Sequence, residues 1–282
     1  MRIMRGEAPI PPEQSKNYVG DTPDQFKAWC RLNAGRVERA KSVPYFVRDN
    51  QVYYDGAFAP KYGAVKGTKL GRSASKEAYK EYRHLPAPTL TKEVRDNTAE
   101  IALAMGLGSP KPMTFMEANE GRSNVNYRKG GVFEENCQMS VIVHEARLRG
   151  LDVTAVGYSN DVRSVSYMLG ERFQDIWVNP KNRKTPMPTE LRDVSFSGMM
   201  GKLYSATKTT GRYHIGINMQ DGGHVITAER LTNGNLIFYD AQNGAFLNIE
   251  EYSARKVEYL EVIKVDKLLI RADWFMSIAT LP

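Results

Sequence analysis

Cysteine and histidine are scarce in this sequence, and closely spaced pairs of them do not occur. Two cysteines, Cys30 and Cys137, lie far apart among 282 residues, and there are four histidines. This pattern excludes the disulfide framework of a small secreted scaffold, so we expect two free thiols in a reducing compartment. A zinc site needs paired ligands and a phosphate loop needs a glycine-rich motif, and the sequence has neither. We therefore predict no metal and no cofactor.

Long apolar segments are also missing. No stretch approaches the roughly 20 apolar residues of a membrane span, and the opening MRIMRGEAPIPPEQSKN has no apolar run of signal-peptide length. We therefore expect a soluble protein that does not bind a membrane. Its hydrophobic content of 41%, with 10% aromatic residues, is sufficient for a globular core.

Positive charge is concentrated near the start of the chain. Residues 1–100 contain 18 Lys and Arg against 12 Asp and Glu, whereas residues 101–282 contain 21 against 20. A basic first third can contact an acidic partner or nucleic acid. No stretch combines dense Arg and Lys with interleaved aromatic residues, so a solvated basic surface is the simpler interpretation and nucleic-acid binding is not predicted.

The first 120 residues are predicted to form a basic, mainly helical region with a docking or inhibitory role. TPDQFKAWCRLNAGRVERAK predicts a helix in which Cys30 is a buried, inert thiol. PYFVRDNQVYYDG favours extended structure, and further helices are predicted near residues 76–84 and in TKEVRDNTAEIALAMGLG. The turn-rich residues 108–131 indicate a connection to a second domain, residues 121–282.

Cys137 opens the best-organised part of the sequence. In EENCQMSVIVHEARLRG the apolar spacing predicts a helix that begins at Cys137, with Asn136 at the N-cap and Gly150 as its stop, and LDVTAV predicts a strand after it. The first turn of a helix exposes unpaired N–H groups and a partial positive charge, which favours thiolate over thiol. Cys137 is therefore either a structural thiol or a nucleophile, and the second alternative requires a base.

Three of the four histidines are poorly placed to be that base. His144 lies seven residues after Cys137 on the same helix, about 10 Å along its axis at 1.5 Å per residue. His84 belongs to a polar loop, and His214 follows the alternation of a half-buried strand. His224 remains, and it opens the middle strand of RYHIGINMQDGGHVITAERLTNGNLIFYDAQNG, which predicts three antiparallel strands.

The loop around Gly234 decides whether His224 and Asp240 can meet. A two-residue loop would put Asp240 on the opposite face from His224, whereas a three-residue loop with Gly234 in the left-handed conformation places Gln242 opposite His224. Asp240 then lies diagonally on the same face, and we predict this second loop. The apolar side chains on that face are expected to pack inward against the Cys137 helix; they are Ile226, Ala228, Leu236 and Phe238.

A cysteine at the start of a buried helix, then a histidine on a strand and an aspartate on the next strand, is similar to the papain-like arrangement. The segments EENCQMSVIVHEARLRGLDVTAV and GGHVITAERLTNGNLIFYDAQNG resemble the papain-fold toxin domain of bacterial polymorphic toxins and phage-associated proteins. The resemblance covers roughly residues 125–250. The matching positions are Asn136-Cys137, the Arg-x-Arg-Gly-x-Asp-Val run at 147–153, Gly223-His224, Asp240 and Gln242.

This resemblance implies an α+β, papain-like fold in which the central helix that carries the cysteine packs on an antiparallel sheet. It also implies a thiol-dependent amide hydrolase, either a cysteine protease or a protein-glutamine deamidase, that acts on protein substrates. Cys137 would be the nucleophile, His224 the base and then the acid, and Asp240 the residue that orients His224. The backbone N–H of Cys137 would form part of the oxyanion hole.

The second oxyanion-hole donor stays open. Papain-like proteases take it from a glutamine six residues before the cysteine, where this sequence has Gly131. Asn136, Asn126 or Gln242 could replace that glutamine. Gln242 could equally hold the loop after the third strand, and Asp240 could be no more than a turn acceptor.

Two alternative interpretations do not require the protein to be an enzyme. In the first, the chain is a phage structural or cargo protein whose papain-like domain has become a scaffold, docked through its basic N-terminal region. In the second, that region binds nucleic acid in a salt-sensitive manner that does not depend on Cys137.

Overall fold

The computed structural model of the chain describes residues 45–48, 51–54, 82–119, 122–220 and 222–282. These residues form an α+β structure with antiparallel sheets. The elements in chain order are β1 (Tyr45–Arg48), β2 (Gln51–Tyr54), α1 (Lys92–Ala104), α2 (Phe115–Ala118), α3 (Cys137–Leu148), β3 (Thr154–Ala155), α4 (Val165–Glu171), β4 (Trp177–Val178), β5 (Thr189–Leu191), α5 (Phe196–Ala206), β6 (Gly211–Met219), β7 (Gly222–Arg230), β8 (Leu236–Asp240), β9 (Ala245–Phe246), β10 (Val257–Lys264), β11 (Leu269–Ile270), α6 (Ala272–Ile278) and β12 (Ala279–Thr280).

The main sheet has six strands in the order β5-β10-β6-β7-β8-β9, and each neighbouring pair is antiparallel. Its two faces are covered by different helices. One core cluster joins α3 to one face, and a second cluster joins α5 to the other. Short pairs, β11 with β4 and β12 with β3, lie outside this sheet.

The helix α3 begins at Cys137, as the sequence predicts, and each residue from Gln138 to Leu148 is buried. It ends at Gly150, which has a φ of +106°. A Cβ atom at this position would lie 2.4 Å from the carbonyl oxygen of Lys111, so both the backbone conformation and the close approach require glycine. The predicted stop is therefore confirmed.

Arg147 and Arg149 fasten the end of α3 to its surroundings. The Nη1 atom of Arg147 donates to Oδ1 of Asp152 at 2.6 Å, and its Nε donates to the carbonyl of Ala118. The guanidinium of Arg149 donates to the carbonyl of Leu268 at 2.8 Å. Both arginines are buried, so the Arg-x-Arg-Gly-x-Asp run supports the fold.

The β7–β8 hairpin has the predicted register. Leu231 N–H donates to the carbonyl of Asn235 at 2.9 Å, and Gly234 has a φ of +83°. The ladder then pairs Thr227 with Tyr239. Continued in the same register, it places Gln242 opposite His224, so the three-residue loop is confirmed.

The prediction about which helix covers this hairpin is wrong. The apolar side chains on the His224 face belong to the core cluster of α5, which includes Met199 and Leu203. These side chains are Ile226, Ala228, Leu236 and Phe238. The alternate side chains of β7 and β8 pack with α3 instead; they are Val225, Ile237 and Tyr239. Strand side chains alternate between faces, and α3 lies over the face opposite to the predicted one.

Part of the N-terminal region packs into the same core. Tyr82, Ile101 and Phe115 belong to the cluster of α3. The helix predicted in TKEVRDNTAEIALAMGLG is confirmed as α1, and the extended segment is confirmed as the β1–β2 pair. The predicted helix around Cys30 lies outside the described residues. The boundary near residue 120 and the mainly helical character of residues 1–120 stay predictions.

In the part of the chain that the structure describes, no helix is both long enough and apolar enough to cross a bilayer.

Candidate active site

Cys137 occupies the first position of α3, where the backbone N–H groups of the first turn have no intrahelical acceptor. The thiol is free and half-buried. Its Sγ atom lies 3.4 Å from Oε1 of Gln138. The sulfur therefore has a polar neighbour and partial access to solvent.

His224, near the start of β7, connects Cys137 to Asp240. Its Nε2 atom lies 3.0 Å from Oδ2 of Asp240, and the side chain of Cys137 is close enough to the ring to affect its charge. Because Asp240 occupies Nε2, Nδ1 is the ring nitrogen left for the sulfur. The structure thus brings the three predicted residues together, with the imidazole between sulfur and carboxylate.

The imidazole is well shielded from solvent. The side chain of His224 is 15% exposed, and that of Asp240 is 7% exposed. Tyr252 stacks on the imidazole, with ring centroids 6.4 Å apart and an interplanar angle of 19°. This stack reduces the access of water to one face of the ring.

The surroundings favour a positive charge on His224. Burial alone would lower its pKa, but the hydrogen bond that the ring donates to Asp240 and the interactions with Cys137 outweigh it and raise the pKa to about 10. The imidazole is therefore protonated at neutral pH.

Asp240 is fixed by its own turn. Its Oδ1 accepts the backbone N–H of Gln242 at 3.0 Å, and its Oδ2 accepts from Nδ2 of Asn243 at 2.9 Å as well as from His224. The two alternatives for Asp240, turn acceptor and partner of His224, are thus both true. The turn holds the carboxylate in the orientation that the imidazole needs.

Asn136 precedes Cys137 and occupies the N-cap position, but its side chain does not cap the helix. The amide is fully buried, and its Nδ2 donates to Oδ1 of Asn124 at 3.3 Å and to the carbonyl of Val156 at 2.9 Å. Both amide protons are used in these contacts. Asn136 therefore holds the start of α3 in place, and the proposed oxyanion role is not supported by this geometry.

Gln242 also contacts the side-chain amide of Asn136. Its Nε2 lies 3.5 Å from Oδ1 of Asn136, and its carbonyl accepts from Nδ2 of Asn124 at 3.1 Å. This supports the loop-holding alternative for Gln242. Asn126 is half-buried at the start of a short 3-10 turn and makes no cap hydrogen bond. The backbone N–H of Cys137 remains the candidate oxyanion donor with a structural basis.

The other described histidines are not bases for Cys137. His144 and His214 are buried, and burial lowers the pKa of each to about 3, so both are neutral. His144 Nδ1 contacts Oδ1 of Asn119. His84 is exposed, as its loop position predicts.

Three residues near the site were not identified from the sequence. Asn124 contacts Asn136, twelve residues later, and Gln242, 118 residues later, and no local sequence pattern identifies it. Tyr252 stacks on His224 from the 3-10 segment Ile249–Ala254 and also carries no local signal. Gln138 could have been noticed, because it is a polar residue directly after the cysteine in the mostly apolar first turns of the helix.

No protein-family model matches the chain, and no curated protein has a significantly similar sequence. Among the described residues, no group of three or more His, Cys, Asp or Glu side chains is arranged to hold a metal ion.

Proposed function

We propose that the protein is a thiol-dependent amide hydrolase with a papain-like site, acting on protein substrates as a cysteine protease or a protein-glutamine deamidase. The observation that supports the proposal is the position of His224, which is hydrogen-bonded to Asp240 and is close enough to Cys137 for the two side chains to interact. A nucleophile, a base and an orienting carboxylate in this order are the requirements of acyl transfer through a covalent intermediate.

In the first half of the reaction, the thiolate of Cys137 attacks the carbonyl carbon of an amide and forms a C–S bond. The carbonyl oxygen becomes an oxyanion next to the backbone N–H of Cys137. The imidazolium of His224 gives its proton to the amide nitrogen, and the C–N bond breaks. The leaving group is an amine in proteolysis and ammonia in glutamine deamidation, and a thioester remains on Cys137.

In the second half, water attacks the thioester while His224 takes a proton from it. The C–S bond breaks, the acid is released, and the thiolate–imidazolium pair is restored. Asp240 keeps the ring oriented in both halves, because its hydrogen bonds to Gln242 and Asn243 do not depend on the substrate.

The decisive experiment compares the protein with Cys137→Ala on a protein extract, followed by mass spectrometry. New chain termini that require Cys137 identify a protease, and conversion of intact glutamine to glutamate identifies a deamidase. His224→Ala is expected to lower either activity by about 10²–10⁴-fold, the usual contribution of acid–base catalysis. Equal products from the protein and both variants would contradict the proposal.

A non-catalytic scaffold is the second candidate, and one observation favours it. Asn136 has no free amide proton, and Gly131 stands six residues before Cys137, so neither residue supplies a side-chain oxyanion donor. In that case iodoacetamide would alkylate Cys137 no faster at pH 6 than it alkylates an ordinary thiol. The resemblance suggests a toxin, effector or phage-associated setting for either candidate, with the basic N-terminal region docking on an acidic partner or a phage particle.

A further inference from the structure

Three buried amide side chains connect the two halves of the candidate site. They belong to Asn124, Asn136 and Gln242, and each is at most 7% exposed. Asn136 is next to Cys137 in the chain, and Gln242 donates its backbone N–H to Asp240. The contacts among the three amides therefore link the residue before Cys137 to the residue whose backbone N–H binds Asp240.

Asn124 is the central member of this group, which we call the amide cluster. Its Nδ2 lies 2.9 Å from Oδ1 of Asn136, 3.1 Å from the carbonyl of Gln242 and 2.8 Å from the carbonyl of Phe133. Its Oδ1 accepts from Nδ2 of Asn136 at 3.3 Å. A single side chain thus reaches the loop before α3, the residue before Cys137 and the turn after Asp240.

These contacts can fix the distance between the start of α3 and the Asp240 turn, which the local structure of neither segment determines. Cys137 and His224 belong to different elements: the His224 face of the sheet is covered by α5, whereas α3 packs on the opposite face, where Val225 lies. A hydrogen bond between buried amides is directional and costly to leave unmade. The amide cluster therefore fixes the start of α3 relative to the Asp240 turn.

Resting on the proposed function, we infer that Asn124 is a positioning residue of the site. It touches neither the sulfur nor the imidazole, and it acts by holding the Cys137 and Asp240 segments at the separation that lets the imidazole contact both. Removing its amide lets this separation widen. The contact between thiolate and imidazolium then weakens, and Cys137 reacts more like an ordinary thiol.

The test is the pH profile of alkylation of Cys137 by iodoacetamide, followed by mass spectrometry of the Cys137 peptide so that Cys30 does not contribute. Asn124→Ala is expected to slow alkylation about tenfold at pH 6, which corresponds to a shift of about one pH unit in the midpoint. Above pH 9.5 the rates should be equal. Asn182→Ala, the same substitution at an exposed asparagine in a turn outside the amide cluster, is the matched control and should retain the original profile.

Two further variants keep the test decisive if Asn124→Ala does not fold. Asn124→Asp retains the volume and removes the donor, and Gln242→Met removes the Nε2 contact to Asn136 while the backbone contacts remain. Each should shift the midpoint in the same direction. Folded variants with the original profile would overturn the inference. If the unmodified protein itself lacks fast alkylation at pH 6, the proposed function fails instead.

Discussion

Arg212 on β6 binds the buried carboxylate of Glu145 on α3 through two hydrogen bonds, from Nε to Oε2 at 2.6 Å and from Nη2 to Oε1 at 2.9 Å. Arg149 adds a third contact to the same carboxylate at 2.9 Å. This cluster lies in the middle of α3, away from its first residue, and joins the helix to the sheet. It stabilises the helix that carries Cys137 without touching the site.

Replacement of Glu145 by Gln is expected to destabilise the fold by about 3–5 kcal/mol, because two buried guanidinium groups lose their counter-charge. Urea unfolding at pH 7 measures this change. The matched control is Glu190→Gln, which removes an exposed contact to Arg192 and should cost less than about 1 kcal/mol. Similar costs for the two variants would show that the Glu145 cluster is not an important source of stability.

The same cluster predicts an acid dependence of stability. Burial would raise the pKa of Glu145, but Arg212 and Arg149 outweigh it and hold the pKa well below the usual 4.5. A lowered pKa in the folded state contributes stability that is complete above pH 4.5 and is lost as the pH falls further. The free energy of unfolding should therefore fall more steeply below pH 4.5 in the original protein than in Glu145→Gln.

The charge on His224 can be measured directly by histidine NMR. We expect its ring to remain protonated at pH 8, since hydrogen bonds and charges from Asp240 and Cys137 raise its pKa to about 10. Asp240→Asn and Cys137→Ala should each lower this pKa, because each removes a partner of the cation. His144 and His214 serve as internal references and should remain neutral at pH 5. A neutral His224 at pH 7 would contradict the predicted ion pair.

Asp240→Asn should also change reactivity. The amide keeps the size of the carboxylate but loses its charge, so the imidazolium and the thiolate that it stabilises become less favourable. Alkylation of Cys137 at pH 6 should slow by about tenfold or more. Asp152→Asn is a suitable control, because Asp152 binds Arg147 at the other end of α3. A rate change of the same size in both variants would point to a general effect on the helix.

Gly150→Ala is expected to destabilise the protein by about 1–3 kcal/mol, because the position combines a φ of +106° with a close approach to the carbonyl of Lys111. Gly108→Ala is the control. No atom lies within 4 Å of its Cβ position, and its backbone is not in the left-handed region. Thermal unfolding of the two variants should therefore differ clearly, and equal midpoints would contradict the strain at Gly150.

The sequence was sufficient to predict those structural features that depend on local geometry. The start of α3 followed from apolar spacing, and its end followed from Gly150. The register of β7 and β8 followed from the length of the loop around Gly234, because one residue more or less moves Asp240 to the other face. The register places His224 and Asp240 on one face of the hairpin, whereas the approach of Cys137 to His224 depends on how α3 packs.

Long-range packing was not accessible in this way. Alternation along β7 indicates that two faces exist, but it does not say which helix covers each, and so the predicted packing of α3 was wrong. Asn124 likewise has no local pattern, since its partners lie at Asn136 and Gln242. For Asn136, the residue type fitted a helix cap, but buried amides nearby offered its side chain better hydrogen-bond partners.

The order of the three residues along the chain has a consequence for biosynthesis. Cys137 is translated well before His224 and Asp240, and the turn that orients Asp240 continues to Asn243. While this turn is still inside the ribosome, the nascent chain contains Cys137, but His224 and Asp240 cannot yet take up their positions beside it. Cys137 therefore meets the imidazole late, when most of the polypeptide has been synthesised and the strands that carry His224 and Asp240 have paired.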